Sequence, residues 1–258
     1  MVEPILTVTD IKKSFGSVVA LNGVSFQLVA GEIMGLVGDN GAGKSTLIKI
    51  LSGVYAKDSG DIVFRGEHVD FKEPKEAIDA GIETVYQDLA LAPYLPIYAN
   101  MYLGREVVRK GLLGKLGVVD RAEMRKHAEE RINRLKSKLN HVDQEVGTLS
   151  GGQRQAVAIT RALAWGRDLV IMDEPTAALG VKESRQVLDL IKEVRQHGIA
   201  VILISHTIPH VLDVTDTIHV LRLGESVAHL NTAQTTYEEV VQYITGSKVL
   251  MESYGNGR

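Results

Sequence analysis

The chain contains no cysteine. That excludes disulfide scaffolds, thiolate zinc sites, iron–sulfur clusters and cysteine nucleophiles. It lacks an excess of basic charge: 29 Lys and Arg stand against 32 Asp and Glu, for a formal charge of −3. A nucleic-acid partner held by a basic surface is therefore not expected. No long hydrophobic run occurs; the longest, Ile199 to Ile204, is the size of a strand and far short of a membrane span. The opening Met1-Val2-Glu3-Pro4 has neither the basic start nor the apolar stretch of a secretory signal. The expected compartment is the cytosol, and any dealings with a membrane go through a partner. Internal repeats, Pro-rich linkers and low-complexity tracts are also missing, so no clean boundary between independent domains is expected.

What is present is a chain of 258 residues, 45% hydrophobic and 24% charged, enough for a substantial core. Ile5–Val8, Val24–Val29 and Ile62–Phe64 read as short strands joined by turns. Three continuous apolar runs, Ile33–Val37, Leu169–Met172 and Ala200–Ile204, suit strands buried on both faces. Each ends at a reactive or phosphate-reading group: a Gly-rich turn, Asp173-Glu174, and Ser205-His206. In open parallel α/β sheets ligands bind at the carboxyl ends of strands, so these three ends are expected to converge on one site. Between residues 88 and 165 the pattern becomes helical. Asp120 and Glu123 suggest a capping box, and Ala128, Ile132, Leu135 and Leu139 follow at helical spacing.

Gly38-Asp39-Asn40-Gly41-Ala42-Gly43-Lys44-Ser45 fits G-x-x-x-x-G-K-[ST], between the first buried strand and a helix opening at Thr46. The bare pattern arises by chance in roughly 1–2% of chains this long, and the strand–loop–helix setting narrows that further. The glycines let successive N–H groups turn inward around an anion, and the helix dipole adds to the field. Lys44 is expected at the β- and γ-phosphates, and the Ser45 hydroxyl on magnesium. A dinucleotide fingerprint fails, because its third glycine position holds Thr46. The chain has no N-K-x-D guanine-reading motif, which argues against a GTPase.

A second anion site is suggested by Ser150-Gly151-Gly152-Gln153, after Leu149, at the start of another helix. A serine-capped structural helix would explain Ser150 but not the paired glycines. Leu169–Met172 then leads into Asp173 and Glu174. One carboxylate to hold magnesium and one to orient water is what hydrolysis at a phosphate loop requires.

These motifs, in this order, resemble those of the ATP-binding-cassette ATPases along essentially the whole chain. The resemblance implies an α/β fold: a P-loop NTPase (RecA-like) core with an N-terminal antiparallel β subdomain over residues 1–87 and 165–258. A helical signature subdomain would occupy residues 88–164. It implies that Phe15 stacks on adenine with Ala20 nearby, that Gln87 is the Q-loop glutamine placed with Ser45 and Asp173 at the metal, and that Glu174 is the catalytic carboxylate. His206 matches the switch histidine. The family further implies ATP and Mg2+ as cofactors, and a head-to-tail dimer with each ATP between one chain's phosphate loop and the other's signature.

Within that family, Asn100-Met101-Tyr102-Leu103-Gly104-Arg105-Glu106, Pro175–Val181 and Ser205–His210 are similar to the monosaccharide importers of the ribose, xylose and fructose type. This implies a homodimeric motor peripheral on the inner face of the cell membrane. Its partners would be integral-membrane permease subunits and, indirectly, a sugar-binding protein. The alternatives are a motor for another small solute and a non-transport ATPase. Gly180 departs from the family pattern, standing where an aspartate is usual. Arg105, Arg109, Lys110 and Lys115, gathered around Gly111-Leu112-Leu113, are read as a solvated helix face ahead of a membrane contact.

Overall fold

A computed structural model describes residues 3–134, 139 and 141–248. The chain divides into two compact units. The first comprises residues 1–84, 166–174 and 194–258, and the second residues 85–165 and 175–193.

The first unit begins with a hairpin, β1 (Pro4–Phe15) and β2 (Val18–Val29), closed so that Phe15 faces Val18. Leu6, Val8, Leu21, Val24 and Leu28 are buried while their neighbours along the strands are more exposed, the period of two expected of a half-covered sheet. Both strands run longer than the apolar runs suggest, because backbone pairing continues through polar residues. Register shifts between Val8 and Lys12, with Asp10 at φ 49°, mark an irregularity in β1. Two further strands, given below as β4 and β5, complete a four-stranded sheet in the order β2-β1-β4-β5.

β3 (Ile33–Val37) leads into α1 (Lys44–Leu51), then β4 (Ser59–Phe64), β5 (Glu67–His68), α2 (Pro74–Ala80) and β6 (Ile82–Val85). The second unit holds α3 (Ile97–Met101), α4 (Leu112–Lys115), α5 (Arg121–Arg134) and α6 (Gly151–Trp165). β7 (Leu169–Asp173) returns to the first unit, and α7 (Val181–Arg195) follows. β8 (Ala200–Ile204), α8 (Ile208–Val214), β9 (Thr217–Arg222), β10 (Glu225–Asn231) and α9 (Tyr237–Thr245) complete the chain.

The central sheet has the order β10-β9-β3-β8-β7-β6. β3 pairs in parallel with β8 and β9, and β7 in parallel with β8. The three apolar runs are thus adjacent strands, and β3 and β8 are buried at every position. Both faces are covered, which is why these strands do not alternate. Gly35 in β3 has a packing reason: a Cβ there would lie 2.5 Å from Val211 Cγ1 of α8. The two sheets, one antiparallel and one largely parallel, bear out the expected α/β P-loop class.

In the second unit α3, α5 and α6 pack around Ile97, Met101, Tyr102, Met124, Ala128, Ile132 and Val157. The Asp120 carboxylate accepts the Glu123 N–H at 3.2 Å, capping α5 as the sequence suggests. Leu139 joins the same core but lies beyond the end of α5 at Arg134, and Leu135 is outside the described residues. Asn100 is fully buried yet fully used. Its side-chain oxygen accepts from Ala92 N–H, and its amide donates to the Ala92, Leu95 and Pro96 carbonyls, pinning the preceding loop. The segment Pro175–Glu193 groups with these helices, whereas the sequence suggested it as core. Its contacts with the glycines that open α6 supply the reason.

Candidate active site

β3 delivers the chain to Gly38, whose φ of 153° and close approach to Leu221 exclude a side chain: a Cβ would sit 2.2 Å from the Leu221 carbonyl. Gly43 precedes α1 with φ 102°, and a Cβ there would meet Leu21 and the Ala20 carbonyl at 2.6 and 2.7 Å. Ala20 thus lies against the phosphate loop through its backbone. No side chain caps α1, so the N–H groups of Lys44, Ser45 and Thr46 open onto the loop as an anion site. Within the loop the Asp39 carboxylate accepts Asn40 N–H at 2.8 Å, and Ala42 N–H donates to the Asp39 carbonyl. Gly41, at φ 80°, has open space on its Cβ side.

Lys44 Nζ donates to the Gly38 and Asp39 carbonyls at 2.7 and 2.9 Å, folding the ammonium back over the loop. Burial lowers its pKa, and the charges of Glu174, Asp39 and Asp173 push the other way. That coupling places the Lys44 ammonium among the carboxylates at the end of β7. Asp173 closes β7, and its pKa is raised by burial first and by Glu174 second, with Lys44 and Lys49 opposing. A desolvated carboxyl beside a second carboxylate is an arrangement that a cation would relieve.

Glu174 has a φ of 52°, an unusual backbone for a residue with a side chain. Its N–H donates to the Ile204 carbonyl of β8 at 3.0 Å, which locks the turn after β7 to the neighbouring strand. Its largely buried Oε1 accepts the His206 N–H at 3.1 Å and lies 2.8 Å from His206 Nδ1. A carboxylate at that distance requires a proton on Nδ1, which leaves Nε2 as the other polar atom of a mostly exposed ring. The expectation that the ends of β3, β7 and β8 share a site is met within the first unit, where Lys44, Asp173, Glu174 and His206 come together.

Phe15, at the end of β1, is 44% exposed and stands edge-on to Tyr55 with ring centroids 5.2 Å apart. Lys13 lies 5.4 Å over the same ring and is itself held by Asp58 at 2.7 Å. One face of an aromatic is thus braced by neighbours that the sequence did not reveal; Tyr55 carries no periodic or motif signal.

The remaining candidates belong to the second unit. Ser150 and Gln153 cap each other reciprocally: Ser150 Oγ accepts Gln153 N–H at 3.3 Å, and Gln153 Oε1 accepts Ser150 N–H at 2.9 Å. The serine is therefore a helix cap as well as a phosphate-site candidate. The paired glycines have separate reasons. A Cβ on Gly152 would sit 2.9 Å from Glu183 Cβ of α7, whereas one on Gly151 would meet only Leu179 Cδ2, at 3.1 Å. Gly180 in turn makes room for the Glu183 carboxylate, whose Oε2 lies 2.6 Å from where its Cβ would be. Gln87 is exposed at the start of a loop held from α6, where the Arg161 guanidinium donates to the Leu89 and Ala90 carbonyls, both at 2.8 Å.

The chain is similar to known proteins along most of its length. The family model described as "ABC transporter" matches residues 21–177. The chain is 50% identical to the fructose import ATP-binding protein of Rhizobium meliloti, over 95% of each chain. It is 45% identical to the xylose/arabinose import ATP-binding protein of Sulfolobus acidocaldarius, over 93% of this chain and 94% of that one. Among solved structures, an ATP-binding cassette of an ABC transporter in its ADP conformation superposes with a TM-score of 0.81 at 29% identity, covering 98% and 99% of the two chains. With a family model matched over more than half of its length and relatives up to half identical along nearly all of it, the chain belongs to the ATP-binding proteins of the ABC transporter family.

Proposed function

We propose that this chain is the ATP-hydrolysing motor of a binding-protein-dependent importer of a monosaccharide. The observation that carries the reading is the joining of Lys44, Asp173, Glu174 and His206 in one unit, in a chain half identical to a fructose import ATP-binding protein. In the reaction, water attacks the γ-phosphorus of ATP and ADP leaves. The Glu174 carboxylate orients that water and takes its proton. His206, fixed by its Nδ1–H bond to Glu174, presents its other nitrogen toward the γ-phosphate and attacking water. Lys44 offsets the charge that develops on the phosphate oxygens, and the loop amides hold the β-phosphate. Phe15, with Ala20 beside the loop, supplies the adenine platform.

The first unit's donors fit magnesium: the Ser45 hydroxyl and the Asp173 carboxylate are hard ligands, and half-buried Asp173 lies under the charge of Glu174; the family resemblance adds the Gln87 amide oxygen to that set. Bound there, the ion would neutralise charge on the β- and γ-phosphates. Two chains in a head-to-tail homodimer would complete each site, with Ser150, Gly151, Gly152 and Gln153 of one meeting the γ-phosphate held by the other. The helical signature subdomain, residues 88–164, would pass closure to permease subunits through Gln87 and the loop that Arg161 holds. No helix among the described residues is long and apolar enough to cross a membrane, so attachment at the inner face of the membrane would depend on surface contacts.

The test is reconstitution with a permease and sugar-binding protein in proteoliposomes. Sugar-loaded binding protein should stimulate ATP hydrolysis and drive uptake, and Glu174→Gln should stop both. Hydrolysis indifferent to every such partner would overturn the import reading in favour of a soluble ATPase.

A further inference from the structure

The sequence suggests a solvated helix face around Gly111-Leu112-Leu113, and the structure carries it as a single exposed turn. Residues 107–119 form a small closed lobe on the second unit. Its neck is the Val108–Val119 bridge, reinforced by Arg109 N–H to the Val118 carbonyl and Asp120 N–H to the Val107 carbonyl. Val107 and Val119 anchor that neck on the helical core. Its tip is the single turn α4, closed by Val118 N–H to the Leu113 carbonyl. This backbone is well tied, yet its largest side chains are out in solvent: Leu112 is 75% exposed and Leu116 72%, with Leu113 and Val108 also exposed. A Cβ on Gly111 or Gly117 would meet nothing within 4 Å, so the tip stands clear of its own unit.

Arg109, Lys110 and Lys115 are exposed on the same lobe and make no ion pair among the described residues. From residue 107 to 119 there are three cations and no acidic side chain, in a chain whose overall charge is −3. A scattered exposed leucine needs no explanation, but several on one backbone-tied tip, beside Arg109, Lys110 and Lys115, form a patch. What it fits is a yielding surface that takes leucines into its apolar margin and offers anions to the flanking cations.

We propose that the 107–119 lobe docks on an anionic phospholipid surface, with Leu112, Leu113 and Leu116 at the headgroup–acyl boundary and Arg109, Lys110 and Lys115 against lipid phosphates. The inference concerns the second unit's surface alone and does not rest on the import reading.

The full chain should co-sediment with protein-free vesicles of equal parts phosphatidylglycerol and phosphatidylcholine at low salt. Binding should be weak to phosphatidylcholine alone and should fall at high salt. Replacing Arg109, Lys110 and Lys115 together by Gln should weaken binding roughly 100-fold, and Leu112→Ser with Leu116→Ser roughly 10-fold or more. Both variants should keep the parent's circular dichroism and basal ATP hydrolysis, since none of these residues touches the proposed active site. Parent-like vesicle binding by both folded variants would overturn the proposal. So would binding confined to native membranes and abolished when surface protein is shaved with protease, which would make the partner a protein. Failure of sugar uptake in proteoliposomes would leave these results standing.

Discussion

Glu174 concentrates most of the chemistry at the scale of single residues. Its φ of 52°, its hydrogen bond to β8 and its pairing with His206 hold one carboxylate in a fixed place. Glu174→Gln keeps the shape and can still accept from His206, but it removes the carboxylate proposed as the base. Single-turnover hydrolysis should fall by about 100-fold or more while ATP affinity stays within a few fold. A variant that hydrolyses at the parent's rate would move the base elsewhere. Phe15 is a separate matter, because it lies at the end of β1 against Tyr55 and Lys13. Phe15→Ala should weaken ATP binding by about 1–3 kcal/mol, roughly 5- to 150-fold, with the rate of bound ATP hydrolysis little changed. An unchanged dissociation constant by titration would remove the adenine-platform assignment.

Two junctions between elements make sharp demands. Where α6 meets α7, Gly152 faces Glu183 Cβ, an atom close to the backbone that cannot swing aside. Gly152→Ala gains about 1 kcal/mol of helix propensity, but the overlap costs about 1–3 kcal/mol. The overlap should win, lowering the thermal midpoint by a few degrees, and in the same chain Glu183→Gly, which removes that Cβ, should relieve the overlap, whereas Glu183→Ala, which keeps it, should not. A Gly152→Ala protein as stable as the parent would show that α7 gives way freely. The second junction is the β9–β10 pair, where His219 lies opposite His229. His219 is buried, its Nε2 is 2.9 Å from Ser226 Oγ, and its Nδ1 has no partner. Burial, helped by His229, lowers its pKa from 6.5 to about 4.

The sign of that shift follows from proton counts. Between pH 6.5 and 4 the unfolded chain binds a proton at this position that the folded chain refuses, so stability is complete above pH 6.5 and drains as pH falls to about 4. The loss is about 3 kcal/mol. Denaturant unfolding at pH 7 and pH 4 should show that much more acid loss in the parent than in His219→Gln. Equal losses would mean that His219 protonates in place.

For the whole molecule, the question is whether one chain is enough. If the γ-phosphate is clasped by a second chain's Ser150, Gly151 and Gly152, then Glu174→Gln, which binds ATP without consuming it, should form an ATP-dependent dimer by light scattering. ADP should not support it. Adding Gly151→Asp should abolish the dimer by bulk and charge. The folded chain can accept that change, since the nearest atom to the new Cβ is the flexible end of Leu179, at 3.1 Å. A double variant that dimerises as well as the single one would reduce Ser150–Gln153 to the helix cap that it already is, and the shared-site mechanism would be lost.

Everything the sequence determined by itself lies close together along the chain. Gly38–Ser45 between a buried strand and a helix, the doubly buried runs, the Asp120 cap and the motif order are local patterns, set by dihedral preference and hydrophobic period. They sufficed for the family and to nominate the residues of the candidate site. Tertiary structure decided what depends on distant neighbours. The order β3-β8-β7 brings Lys44 to Glu174 and His206 across more than a hundred residues. Contact with Glu183 explains why position 152 is glycine, and it draws residues 175–193 to the helices. A closed neck sets the exposed turn at Leu112–Lys115 on a lobe with bare leucines. Periodicity reports which residues prefer burial, but only packing against partners remote in sequence decides which of them find it.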